Sequence, residues 1–189
     1  MRFNINSLKP VYLLLVVFLW FGSAGYAPEF TEDYQREMLE IEPLLVALDN
    51  YVGYHYLLGQ IGSDETIEVI RIIERSSYPD LVKAIIEVES SWRVKARSCM
   101  DARGLMQVRL IAARDIDPKI SPEDLFDPVT NVRLGVQIFE NHMAYFSPFS
   151  STVHWALTAY NRGRKGTFDL KSYPPRTSYS NKVLDGTNV

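Results

Sequence analysis

The chain is poor in the residues that build metal centres and covalent cross-links. Of its 189 residues one is cysteine, Cys99, and three are histidine. A single thiol excludes an intramolecular disulfide and leaves the compartment open, because bacterial export does not require disulfides. His55, His142 and His154 show no ligand spacing, so no metal is expected, and none stands near Cys99 to activate it as a nucleophile. No run alternates convincingly between apolar and polar residues as a β-strand would, and internal repeats and low-complexity tracts are missing. Charged residues at 23% and apolar residues at 47% belong to a globular chain, not a disordered one.

The longest apolar run stands at the start. Arg2 and Lys9 lead into an unbroken stretch from Val11 to Phe21, and Gly22-Ser23-Ala24 then supply small residues suited to cleavage. Gly25-Tyr26-Ala27 has the same form, but Pro28 disfavours a cut there. The run is short of the roughly 20 residues of a comfortable membrane span. Residues 1–24 therefore read as a signal peptide or an uncleaved anchor in the inner membrane, with a buried core helix as the third reading. Either of the first two places the protein in the periplasm or on the outer face of the inner membrane.

Charge is divided unevenly. Residues 25–80 carry 12 acids and 3 bases, a net of −9, whereas residues 81–189 carry 11 acids and 15 bases, a net of +4. The basic part suits an anionic partner, or is a solvated surface without one. Behind an export segment nucleic acid is a poor candidate, while cell-wall glycan with its lactyl and peptide carboxylates fits.

Helical periods dominate. Residues 25–76 form an acidic helical extension, with helices expected from Thr31 to Val52, interrupted near Pro43, and from Asp64 to Arg75. In the second, Ile67, Ile70 and Ile73 give an apolar face and Glu68 can pair with Arg71. Tyr51, Tyr54 and Tyr56 are packing or surface aromatics, a sugar-stacking patch being the alternative. Ser77-Tyr78-Pro79-Asp80 fits a capping box opening the next helix. Leu81, Ile85, Val88 and Trp92 make one apolar stripe, Val82, Ile86 and Glu89 the adjacent one, and Lys83 with Glu87 an exposed pair. Leu105 to Asp115, Val129 to Phe146 and Ser151 to Tyr160 complete the helical set, the last ended by Gly163.

Glu89 carries the functional signal. A carboxyl against apolar neighbours is how a protein keeps a proton available at neutral pH, though taken alone such a glutamate is more often a surface acid at a helix end. Val88-Glu89-Ser90 is followed in order by Ala102-Arg103-Gly104-Leu105-Met106-Gln107, by Leu125-Phe126-Asp127-Pro128 with Asn131 and Gly135, and by Ala159-Tyr160-Asn161. With Tyr179 and Val183-Leu184, this set resembles the catalytic domain of soluble-lytic-transglycosylase-type (SLT) enzymes over about residues 77–185.

That resemblance implies a mainly α, lysozyme-like fold in residues 77–189, and cleavage of peptidoglycan between N-acetylmuramic acid and N-acetylglucosamine without a cofactor. Glu89 would protonate the leaving oxygen, then as base deprotonate the muramoyl C6 hydroxyl, which closes a 1,6-anhydro ring. Ser90 would hydrogen-bond the acid or the sugar, Gly104 would allow a close backbone turn, and Gln107 would contact sugar. Met106 would line the cleft or sit in the core. Tyr160 would hold the acid through its hydroxyl, Asn161 would bind an acetamido group, and Tyr179 matches a late cleft tyrosine. Most glycosidases use two carboxyls, at about 5–5.5 Å or about 6.5–9.5 Å. Glu87 points elsewhere on the helix, but folding could bring Asp115, Asp117 or Asp127 near Glu89, so hydrolytic muramidase stays open, as does a non-catalytic wall-binding or assembly protein. The small domain leans towards local wall opening for a secretion, pilus or conjugation apparatus. Two stretches depart from the family: Val108-Arg109-Leu110 replaces a proline-containing helix start, and the turn after Asn161 is the basic Arg162-Gly163-Arg164-Lys165-Gly166.

Overall fold

The computed structural model describes residues 32–187; the expected export segment, residues 1–24, lies outside them. Eight α-helices follow in order: α1 Glu32–Asn50, α2 Val52–Ile61, α3 Ser63–Arg75, α4 Pro79–Ser90, α5 Leu110–Arg114, α6 Pro128–Tyr145, α7 Thr152–Phe168 and α8 Ser178–Gly186, with a 3-10 turn at Glu123–Phe126. Among the described residues no strand forms; two isolated bridges, Arg97 with Arg103 and Arg103 with Val108, are the extended pairing. No helix among them is long and apolar enough to cross a membrane. The chain divides into two compact units, Met1–Pro43 and Leu44–Val189. Helix α1 is continuous through Pro43, where an interruption was expected.

In the larger unit α6 packs on α7 and α3, while α4 packs on α3 and α8. The isoleucine face of α3 is buried as its spacing predicts, with Ile70 and Ile73 fully covered, and Arg71 pairs with Glu68. Under α6 and α7, Phe146 stacks on Trp155 at 5.4 Å between ring centres, with Phe149 and Phe168 beside them. Such pairs add stabilisation beyond their burial.

Helix α2 is absent from the sequence reading, in which Gly59, Gly62 and Ser63 separate the two expected helices. Gly53 is there for space: a Cβ would lie 2.4 Å from Cε2 of Trp92. Tyr51 and Tyr54 meet that indole edge-on at 5.4 Å each, and Tyr54 donates to Glu74 at 2.7 Å. Helices α2 and α3 thus belong to the same compact unit as the helices that follow, and the expected boundary after residue 76 falls inside it.

Two local expectations give way to tertiary partners. The capping box before α4 does not form: Tyr78 occupies the cap without a side-chain bond, and the Ser77 amide donates to Glu140 of α6 at 2.8 Å. Lys83 pairs with Asp80 at 3.0 Å and Glu74 at 3.4 Å instead of Glu87. Gly163, with non-helical φ of 75° and ψ of 159°, breaks α7 into two helical pieces that meet at a kink, where the helix end was expected; the basic stretch after it forms the second piece instead of a turn.

Candidate active site

Glu89 sits in the last turn of α4, and the chain leaves that helix abruptly. Ser91 and Trp92 adopt left-handed backbone at φ of 48° and 60°. Residues other than glycine occupy that region at a cost, so surrounding contacts must hold them there. Gln60 of α2 does so: its amide nitrogen donates to the Trp92 carbonyl at 2.7 Å, and its oxygen accepts from the Val94 amide at 3.1 Å. The turn sends Trp92 into the core at 2% exposure and leaves Glu89 on the cleft.

Packing of α8 on α4 brings Tyr179 and Lys182 to the acid. Burial pushes the Glu89 carboxyl above its usual pKa, while a hydrogen bond from the Tyr179 hydroxyl at 2.8 Å and the Lys182 charge partly oppose the rise. Tyr179 is itself pushed well above the usual phenol range, by burial first and then by Glu89, and so remains a donor. Its helix is fixed by a capping box between Thr177 and Ser180.

The loop carrying Gly104 to Gln107, expected to open a helix at Leu105, is a tight turn knotted around one side chain. Asn131 of α6, fully buried, accepts from the Met106 amide at 2.8 Å and donates to the carbonyls of Arg103 and Leu125, each at 2.8 Å. Gly104 has φ of 76°, and a Cβ on it would stand 2.3 Å from the Asn131 amide nitrogen. Helix α5 therefore begins only at Leu110.

Two adjoining hollows meet at Glu89. The larger, about 910 Å³, is lined by Gln107, Arg109, Asp115, Tyr160, Asn161 and Arg164 among others. The smaller, about 680 Å³, is lined by Tyr56, Gln60, Arg93, Lys95 and Arg97. Glu89, Ser98 and Gln107 belong to both, so the acid lies at the waist of one groove. Among the described residues Glu89 and Asp115 are the acids that line it. Asp127 instead caps α6 through Thr130 at 2.7 Å, Asp117 accepts from the Lys119 amide at 3.0 Å, and Asp101 is held below the usual carboxylate range by Arg103 and Arg97. His142, on the larger side, is pushed down to about 4 by burial and by Arg164, and is neutral at physiological pH. No three His, Cys, Asp or Glu side chains among the described residues cluster as a metal site would require.

The residues singled out from sequence are sorted by this geometry. Glu89, Gln107, Tyr160 and Asn161 line the groove. Ser90 does not: it is 1% exposed and its hydroxyl donates to the Ile86 carbonyl at 3.1 Å, so it meets neither acid nor solvent. Met106 takes its core reading, fully buried and so close to Gly135 that a Cβ there would stand 2.4 Å from its sulfur. The Tyr160 hydroxyl donates to the Met106 carbonyl at 2.8 Å, and the tyrosine bonded to Glu89 is Tyr179, reversing the expected roles. Asn131 and Gln60 were missed as supports; Asn131 stood among the quoted motifs, whereas nothing in sequence pairs Gln60 with Trp92.

The transglycosylase SLT domain model matches residues 72–182, more than half of the chain, and the protein belongs to that family. Its fold is similar to that of the 70 kDa soluble lytic transglycosylase from Escherichia coli, at a TM-score of 0.53 and 20% identity, over 76% of this chain. The chain spans 28% of that protein's length. The mainly helical, lysozyme-like architecture expected from sequence is the one observed.

Proposed function

We propose that the protein is a peptidoglycan lytic transglycosylase in which Glu89 is acid and then base. The observation that carries this reading is one half-buried carboxyl of raised pKa, hydrogen-bonded by Tyr179, where two surface hollows adjoin. A raised pKa keeps the proton on Glu89 for transfer to the glycosidic oxygen as the C1–O bond breaks. The Glu89 carboxylate then takes the C6 hydroxyl proton while O6 bonds to C1, giving a 1,6-anhydromuramoyl end; no water is consumed and the acid is restored. Tyr179 orients the carboxyl and stabilises its charged form between the two steps. Gln107 and Asn161 contact the glycan, and residues 1–24 direct the protein to the periplasmic side of the inner membrane.

Asp115 supports a second reading, hydrolytic muramidase, because it supplies a second carboxyl on the same groove. Mass spectrometry of products from purified peptidoglycan separates the two. Muropeptides one water lighter than hydrolysed ones, lost with Glu89→Gln by at least about 10²–10⁴ in rate, are expected. Hydrated reducing ends would turn the assignment to muramidase. Binding to sacculi without products from either form would leave a wall-binding protein.

A further inference from the structure

The smaller hollow is built partly from a helix outside the matched family segment, and its chemistry differs from that of the larger one. Tyr56 of α2 is 53% exposed beside Glu89. Its neighbours Tyr51 and Tyr54 are taken up by Trp92, whereas the ring and hydroxyl of Tyr56 have no aromatic or hydrogen-bonded partner among the described residues. Helix α2 does not float: Gln60, one turn on from Tyr56, is bonded to the backbone on both sides of Arg93. The position of Tyr56 is therefore set by the same clamp that shapes the turn after Glu89.

Three bases line this hollow, with no acid but Glu89. Lys95 lies against Phe126, its ammonium 3.3 Å from the carbonyl and 5.7 Å from the ring centre. Arg97 is held by Asp101 at 2.6 Å. Arg93 is exposed and has no acidic partner among the described residues. A guanidinium without an acidic partner, lining the same hollow as an exposed ring, matches a ligand that offers a carboxylate and an apolar sugar face, since arginine binds carboxylates with two parallel hydrogen bonds.

We propose that Tyr56 and Arg93 form a glycan subsite for a carboxylate-bearing muramoyl unit: the ring of Tyr56 stacks on a sugar face, and Arg93 binds the carboxylate. The subsite rests on the peptidoglycan reading of Glu89 and extends it by stating which side of the acid recognises charge. The carboxylate is either that of the lactyl group, free where no peptide is attached, or one on the stem peptide.

The test is equilibrium binding by the full chain carrying Glu89→Gln, so that turnover does not intervene. Three ligands are used: peptide-bearing sacculi, peptide-free glycan strands, and chitin oligosaccharides, which lack carboxylates. Arg93→Ala should weaken binding to carboxylate-bearing glycan about tenfold, as loss of one charge-assisted pair implies, and leave chitin oligosaccharides within about twofold. Loss on sacculi alone assigns the carboxylate to the peptide; loss on stripped strands as well assigns it to the lactyl group. Tyr56→Ala should weaken all three, and Tyr56→Phe should restore them because stacking does not need the hydroxyl. Unchanged affinity of both alanine variants on every ligand overturns the subsite, and so does equal weakening by Arg93→Ala on charged and uncharged glycan. Anhydro products from the active protein with unchanged affinities would sink the subsite alone; neither products nor binding would sink the peptidoglycan reading with it.

Discussion

On the floor of the groove the polar atoms are tied to one another: Tyr179 to Glu89, Tyr160 to the Met106 carbonyl, and the Met106 amide to Asn131. On its walls Tyr56, Arg93 and Asn161 stand exposed. On the proposed function, the contrast separates two tasks. Proton transfer needs a desolvated carboxyl held in one geometry, because burial shifts its pKa and preorganised bonds avoid rearrangement during reaction. Recognition of a long polymer needs reachable side chains, each worth a modest amount and replaceable without loss of the fold.

Substitutions can break that contrast at graded cost. Asn131→Ala would strip three buried hydrogen bonds from the floor and leave the Met106 amide and the Leu125 carbonyl without partners, while the Arg103 carbonyl keeps its bond from the Val108 amide. A destabilisation of about 3 kcal/mol is expected, and thermal denaturation should show a fall in Tm of roughly 6–12 °C. A fall below about 2 °C would show that the knot is dispensable.

Tyr179→Phe tests the floor without unmaking it. The lost bond favours the carboxylate, so its removal raises the Glu89 pKa further. Glu89 then stays protonated to higher pH, and the alkaline limb of kcat/KM should move up while the maximum falls about tenfold. A limb that stays put or moves down would mean that Glu89 is not the group titrating there. Asp115→Asn touches a wall and should change the rate by less than about threefold; a loss of a hundredfold or more would place a second carboxylate in the chemistry and favour hydrolysis.

How far the sequence was legible follows the range of each interaction. Glu89 on an apolar edge, the buried face of α3 and the span of α6 were readable because helical periodicity is local. The lysozyme-like architecture was readable because several short motifs occur in a fixed order. Helix α2 was not, since its glycines look like breakers until Trp92 is seen to need the space at Gly53. Leu105 to Gln107 read as the start of a helix because the turn they form depends on Asn131, far along the chain, and local propensity carries no trace of that partner.

The amino-acid order by itself determined that the protein is helical and that an acid ends an apolar stripe; that Gly104 stands against Asn131 came from the fold. Tertiary structure alone decided that Tyr179 and not Tyr160 bonds that acid, that Ser90 and Met106 face the core, and that Tyr56 and Gln60 reach the groove. Periodicity tells a side chain which face of its own helix it occupies, but only the packing of whole helices sets which distant residue it meets.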